Sequence, residues 1–270
     1  MIITPMFIVG ILMSLLIGIS LGLLGGGGSI LTVPILHYVF GLNASESTAL
    51  SLFVVGLTAA AGAVAYAKRG EIAWKEGIIF SIPSFFAVYA TRRFALPAIP
   101  ASMNVLNFTL AKDTLILLIF AVVMLLAAGA MLRPSKAKPV ENVELTLARV
   151  VMIILEGIVV GGVTGFVGAG GGFLIVPALV ILVGLDMKRA VGTSLVVIAS
   201  KSLIGFAGDL SAGTVINMPV LVTVTSASLV GMVVGTLLVA KVSSARLKPA
   251  FGWFVLVMGT FILLKETVLK

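Results

Sequence analysis

The sequence predicts an all-α polytopic integral membrane protein made of two inverted-topology repeats, each carrying a short helix broken by glycine. Three observations lead there: the apolar bulk of the chain, a repeat at constant offset, and the side on which loop charge collects. Of the 270 residues, 60% are apolar and 10% are charged, whereas a soluble domain carries about a quarter charged residues. At ~20 residues per crossing, that apolar content fills roughly eight membrane helices. Soluble enzymes, nucleic-acid binders and disordered chains do not fit this composition. The net charge of +8 then reads as basic residues retained in cytoplasmic loops, with no nucleic-acid partner. The chain has no cysteine and a single histidine, His37, which excludes disulfides and Cys- or His-rich metal centres. No cofactor is expected, and the lipid bilayer is the first partner implied.

Apolar stretches of crossing length lie at 6–24, 47–67, 76–91, 114–132, 149–167, 189–208, 219–240 and 250–264. Pro5, Pro219 and Pro249 stand at helix starts, where the missing N–H costs nothing. Two further stretches, 29–42 and 172–185, reach only about 21 Å as helices, short of the ~30 Å hydrocarbon core. The first stretch lacks a basic leader region and a small-residue cleavage site, so it is expected to remain as a helix. Trp74 and Trp253 fall near span ends, as interfacial anchors do.

The second observation is the repeat. At an offset of 143 residues Gly18 pairs with Gly161, Gly22 with Gly165, Gly28 with Gly171, Pro34 with Pro177, Gly41 with Gly184, Ser51 with Ser194 and Gly70 with Gly213. No gap is needed from 18 to 70. The expected organisation is an N-terminal transmembrane repeat over 1–132, a polar cytoplasmic linker over 133–148 and a C-terminal repeat over 149–270.

Loop charge orients the repeats. If the short segments cross, each half has an odd number of crossings. One side then holds Lys68, Arg69, Lys75, Arg133, Lys136, Lys138, Arg149, Lys188, Arg189, Lys241, Arg246 and Lys248, while the other holds Arg92, Arg93, Lys112, Lys265 and Lys270. The positive-inside rule favours this arrangement over the near-even split left by segments that dip and return. Both termini are therefore expected outside, with Arg92 and Arg93 against the rule.

Two glycine runs, Gly25-Gly26-Gly27-Gly28-Ser29 and Gly168-Ala169-Gly170-Gly171-Gly172, sit between a long and a short apolar segment. Glycine runs break helices, and broken backbone at membrane depth survives only against protein or a water-filled cavity. The helix that restarts presents unpaired N–H groups and its positive dipole end, a site for an anion. Paired breaks in matching halves point to a transporter's binding site. Packing is the plainer role for the pairs Gly18–Gly22, Gly161–Gly165 and Gly231–Gly235, which have small-xxx-small spacing. A nucleotide-binding loop is excluded, because a membrane-length helix precedes each run and no Gly-Lys-Ser/Thr follows.

These motifs, Gly22-Leu-Leu-Gly-Gly-Gly-Gly-Ser-Ile-Leu-Thr-Val-Pro34 and Gly165-Phe-Val-Gly-Ala-Gly-Gly-Gly-Phe-Leu-Ile-Val-Pro177, followed by Ala190-Val-Gly-Thr-Ser-Leu195, resemble the TauE/SafE sulfite exporters over nearly the whole chain. The resemblance implies a multi-pass bacterial inner-membrane transporter of sulfite, sulfonates or related sulfur-containing anions. It adds Thr193 and Ser194 to the expected substrate-binding set. Ser51 joins them, although the first half reads Ala49-Leu-Ser-Leu52 and lacks the threonine.

Lys201 lies 12 residues beyond Arg189, about 18 Å into the same helix, near mid-bilayer where a lysine is costly and functional by default. Its repeat partner is Thr58. Two readings stay open: a counter-charge for an anionic substrate, or an ion pair with Glu156. Asp209 reads as a solvated loop residue or a proton carrier, and His37 as a hydrogen-bonded structural residue or a relay. An intramembrane enzyme is the rival class, but neighbouring Ser200, Lys201 and Ser202 point to different helix faces. A non-transporting scaffold would leave the lysine and the glycine breaks unexplained.

Overall fold

The computed structural model describes residues 5–100, 102–105, 108–133, 146–167, 172–211 and 213–268. Its first half contains α1 (Pro5–Leu24), the short α2 (Gly27–Pro34), α3 (Ala44–Lys68), α4 (Trp74–Ala90), the single turn α5 (Leu96–Ala98) and α6 (Lys112–Leu132). The second contains α7 (Leu147–Val167), the short α8 (Gly172–Ala178), α9 (Met187–Ser211), α10 (Met218–Val239) and α11 (Ser244–Thr267). The helical membrane class holds. Among the described residues, six helical segments are long and apolar enough to cross a membrane: Ala44–Lys68, Thr114–Leu132, Val150–Val167, Met187–Ser211, Met218–Val239 and Ala245–Thr267. A hairpin of β1 (Ser102–Val105) and β2 (Phe108–Ala111), absent from the all-α expectation, interrupts the segment between α5 and α6. Most of the linker expected at 133–148 lies outside the described residues.

Side chains are distributed as lipid demands. Leu12, Leu155, Val159, Val222, Val233 and Leu237 are exposed, while Ser29, Ser51, Thr58, Ser84, Thr193, Ser194, Lys201 and Ser202 are buried. An apolar exterior costs nothing where the surrounding solvent is hydrocarbon, and the polar groups turn inward to find partners.

The packing is symmetric under exchange of halves. α1 lies along α10 as α4 lies along α7, α3 packs on α10 as α9 packs on α4, and α2 meets α11 as α8 meets α6. Glycines set the close approaches. A β-carbon on Gly18 would fall 1.9 Å from Ser228 O, and one on Gly161 would fall 2.4 Å from Ser84 O. Gly22 meets Gly235 and Thr236, and Gly165 meets Val88 and Thr91. The small-xxx-small pairs are thus packing seams.

α3 runs antiparallel to α9, and α6 to α11. On α3 and α9, Gly56 lies at Leu203 and Gly62 at Leu195; on α6 and α11, Gly252 lies at Leu132 and Gly259 at Met124. Local backbone repeats as well. Pro34 and Pro177 lie inside α2 and α8, and a π-helical turn follows each, over Ile35–Val39 and Leu179–Val183. Proline withholds one helical N–H, and the wide turn re-pairs the carbonyls behind it. A left-handed glycine follows each turn, Gly41 at φ 70° two residues beyond the first and Gly184 at φ 85° directly after the second, a conformation that a β-carbon disfavours.

Candidate functional site

The site is built where the two short helices begin. α1 ends at Leu24, Gly25 turns the chain at φ 68°, and Gly26 serves as the N-cap of α2 with no side-chain cap bond. The start of α8 abuts this turn. A β-carbon on Gly172 would fall 2.5 Å from Gly26 Cα and 3.1 Å from Gly25 O. The two restarting helices therefore bring their N-terminal ends to one place, and their dipoles add there. On the other side, Gly28 presses on α1, its missing β-carbon 2.2 Å from Ile17 O. Gly27 is the first residue of α2; Gly168, Ala169, Gly170 and Gly171 lie outside the described residues.

One face of α9 runs past this junction. A β-carbon on Gly25 would lie 2.7 Å from Ser194 Oγ and 2.9 Å from Val191 Cα; one on Gly172 would lie 2.4 Å from Ile198 Cδ1. Lys201, next along the same stripe, is 2% exposed. Its Nζ donates to Thr164 Oγ1 of α7 at 2.9 Å.

Glu156 is not the partner of Lys201. Both of its carboxylate oxygens are buried without a hydrogen-bond partner among the described residues. It lines a recess of about 360 Å³ with Met152, Leu155, Val159, Val160 and Ala178. Glu156 precedes Thr164 by eight residues, about 12 Å along α7, so one lysine cannot reach both.

The remaining expected residues divide by what holds them. Ser29 Oγ donates to Gly26 O at 2.7 Å, and Ser194 Oγ donates to Val191 O at 2.8 Å. Both hydroxyls thus hold backbone at the break and beside it. Ser51 Oγ is buried with no partner among the described residues. Thr193 Oγ1 accepts from Ala73 N at 2.8 Å and so holds the start of α4. His37 Nδ1 lies 2.8 Å from Leu42 O, a bond that secures the exit of the first π turn.

Asp209 forms an ion pair with Arg92, their side chains 13% and 5% exposed. The solvated-loop expectation for Asp209 does not describe this geometry. Arg92, counted as a loop charge from sequence, lies buried in a π turn over Thr91–Ala95 that continues α4. A serine–lysine pair is absent from α9, since Ser200 Oγ donates to Val196 O and Val197 O.

Long apolar helices, two short-helix starts that meet, and a buried lysine beside them define a class: the multi-pass α-helical membrane transporter. Residues 10–262 match the family model described as Sulfite exporter TauE/SafE, and the chain belongs to that family. It is 30% identical to a "Probable membrane transporter protein" of Xylella fastidiosa (strain Temecula1) over 252 residues, covering 92% of this chain and 91% of that protein. It is 28% identical to the "Probable membrane transporter protein YdhB" of Bacillus subtilis, covering 91% and 98% of the two chains. A "Probable membrane transporter protein" of Methanocaldococcus jannaschii is 27% identical, with 94% of each chain covered. The protein is a membrane transporter whose setting is a lipid bilayer and whose substrate is small.

Proposed function

We propose that this protein is a secondary transporter moving sulfite, sulfonates or related small sulfur-containing anions across the bacterial inner membrane, by alternating access between two inverted repeats. The observation that carries the reading is the meeting of two helix starts at Gly26 and Gly172, one helical turn from buried Lys201. Converging helix N-termini offer unpaired N–H groups and positive potential to an oxyanion. Lys201, when protonated, adds a cation held among the described residues by one neutral hydroxyl, Thr164 Oγ1, and an anion satisfies such a cation better than a hydroxyl does. Ser51, whose hydroxyl is unpartnered among the described residues, supplies a further donor, and the glycine runs bring backbone close to the substrate. Antiparallel corresponding helices and exchange-symmetric packing support the inverted arrangement, with repeats over 1–132 and 149–270 joined by a cytoplasmic linker. The deciding experiment is uptake by purified protein in liposomes of sulfite, thiosulfate and an alkyl sulfonate. Saturable uptake of at least one, lost in Lys201→Met, supports the reading; no uptake of any of the three overturns it.

A further inference from the structure

Below the glycine junction the polar stripe of α9 does not stop at Lys201. It continues through Gly205 to Asp209, each one turn from the last, and α4 keeps step beside it. Gly77 lies at Thr193, Val88 lies at Gly205 and Arg92 pairs with Asp209. Arg92 is 8% exposed, yet only Nη1 is engaged by Asp209. Nε and Nη2 are buried without a hydrogen-bond partner among the described residues. A guanidinium left with unpaired buried donors is costly, and its planar fork suits a second pair of oxygens. Between Arg92 and Lys201 the helices meet through small residues, Gly205 of α9 against Leu52 and Val88, and Gly162 and Gly165 of α7 against Thr91. Ser84 Oγ and Ser202 Oγ, both buried and unpartnered among the described residues, add hydroxyls nearer Lys201.

We infer that Arg92 is a second anion-binding group, an entry station about 12 Å along α9 from Lys201, where an oxyanion displaces the Asp209 carboxylate from the guanidinium. Asp209 then acts as an internal stand-in for substrate: it neutralises Arg92 when the station is empty and competes with every arriving anion. The inference rests on the proposed anion transport and adds to it a site that the glycine junction does not contain.

The test measures sulfite uptake in proteoliposomes and thermal stability in detergent for wild type, Arg92→Gln, Asp209→Asn, the charge swap Arg92→Asp with Asp209→Arg, and Lys201→Met. Competition predicts opposite effects from the two partners of one ion pair. Arg92→Gln raises the KM for sulfite about tenfold, whereas Asp209→Asn lowers it several-fold, as removal of a competing charge does. The charge swap rebuilds the pair and recovers stability but leaves the KM high, because the cation has moved to α9. If the bridge only fastens α4 to α9, both single variants lose stability and uptake together and the swap restores both; that outcome overturns the inference. An unchanged KM in Arg92→Gln, with uptake lost in Lys201→Met, overturns it too while leaving the proposed function standing. Wild-type protein that moves no sulfur anion overturns both.

Discussion

Among the described residues Lys201 is held by a single neutral hydroxyl, and that arrangement separates two roles for the residue. As a substrate counter-charge, Lys201→Met weakens sulfite binding by about 2 kcal/mol, or thirtyfold, the loss expected when a buried charged partner is removed. Thr164→Val removes only the neutral bond and costs about 1 kcal/mol, seen as a smaller rise in dissociation constant. Because Glu156 lies two turns from Thr164, adding Glu156→Gln to Lys201→Met restores neither binding nor melting temperature. Recovery in that double variant would place the carboxylate against the lysine during transport. The depth of Lys201 was legible in the sequence, since distance along a helix follows from residue count alone. Its partner was not, because Glu156 and Thr164 share a helix face and only the height of α7 against α9 chooses between them. Arg92 was misplaced for a related reason: basic residues after an apolar run look like a loop until the packing of the next turn is seen.

At the scale of the helical element, two kinds of glycine give opposite predictions. Gly28 has no space for a side chain, its β-carbon position lying 2.2 Å from Ile17 O. Gly28→Leu must push α2 off α1 and misplace the start of the short helix, so uptake is lost while membrane insertion persists. Gly41 has positive φ but nothing within 4 Å. Gly41→Ala therefore costs about 1–2 kcal/mol in backbone strain, read as a lower melting temperature, and leaves the KM unchanged. Loss of uptake in Gly41→Ala with normal uptake in Gly28→Leu would reverse the assignment. The eight expected spans were recognisable because span length is set by bilayer thickness; the structure places a helix over each, and among the described residues six of these are long and apolar enough to cross. The paired π turns and the hairpin at 102–111 escaped notice. A proline inside a short apolar run marks disturbance without saying how the hydrogen bonds re-form.

For the whole molecule, orientation is the measurable claim. Cysteines at Ser45 and Val215, both exposed, are expected to react with an impermeant thiol reagent from outside, and those at Lys68 and Lys241 from inside. Reaction of Ser45 and Lys241 from one side would contradict the inverted repeat. The offset of 143 residues made the duplication visible, but no sequence pattern stated that α1 would pair with α10 rather than with a helix of its own half. The glycines of that seam were evident; their partners came only with the three-dimensional arrangement.

That crossed pairing has a consequence for how the protein is made. Ser228 Oγ donates to Ser14 O across a separation of 214 residues, and α10 closes over the Gly18–Gly22 seam of α1. At about 5–20 residues per second of synthesis, α1 waits in the bilayer for at least roughly ten seconds before its docking partner leaves the ribosome. Its exposed seam of backbone must meanwhile be covered by lipid, by α3 or by an insertion chaperone. Neither half can complete its packing alone, so the N-terminal half expressed by itself is expected to be degraded. Co-expression of the two halves as separate chains, cut within 134–145, is expected to restore both to the membrane as a complex. A stable, separately purified N-terminal half would show that assembly does not depend on the late arrival of α10.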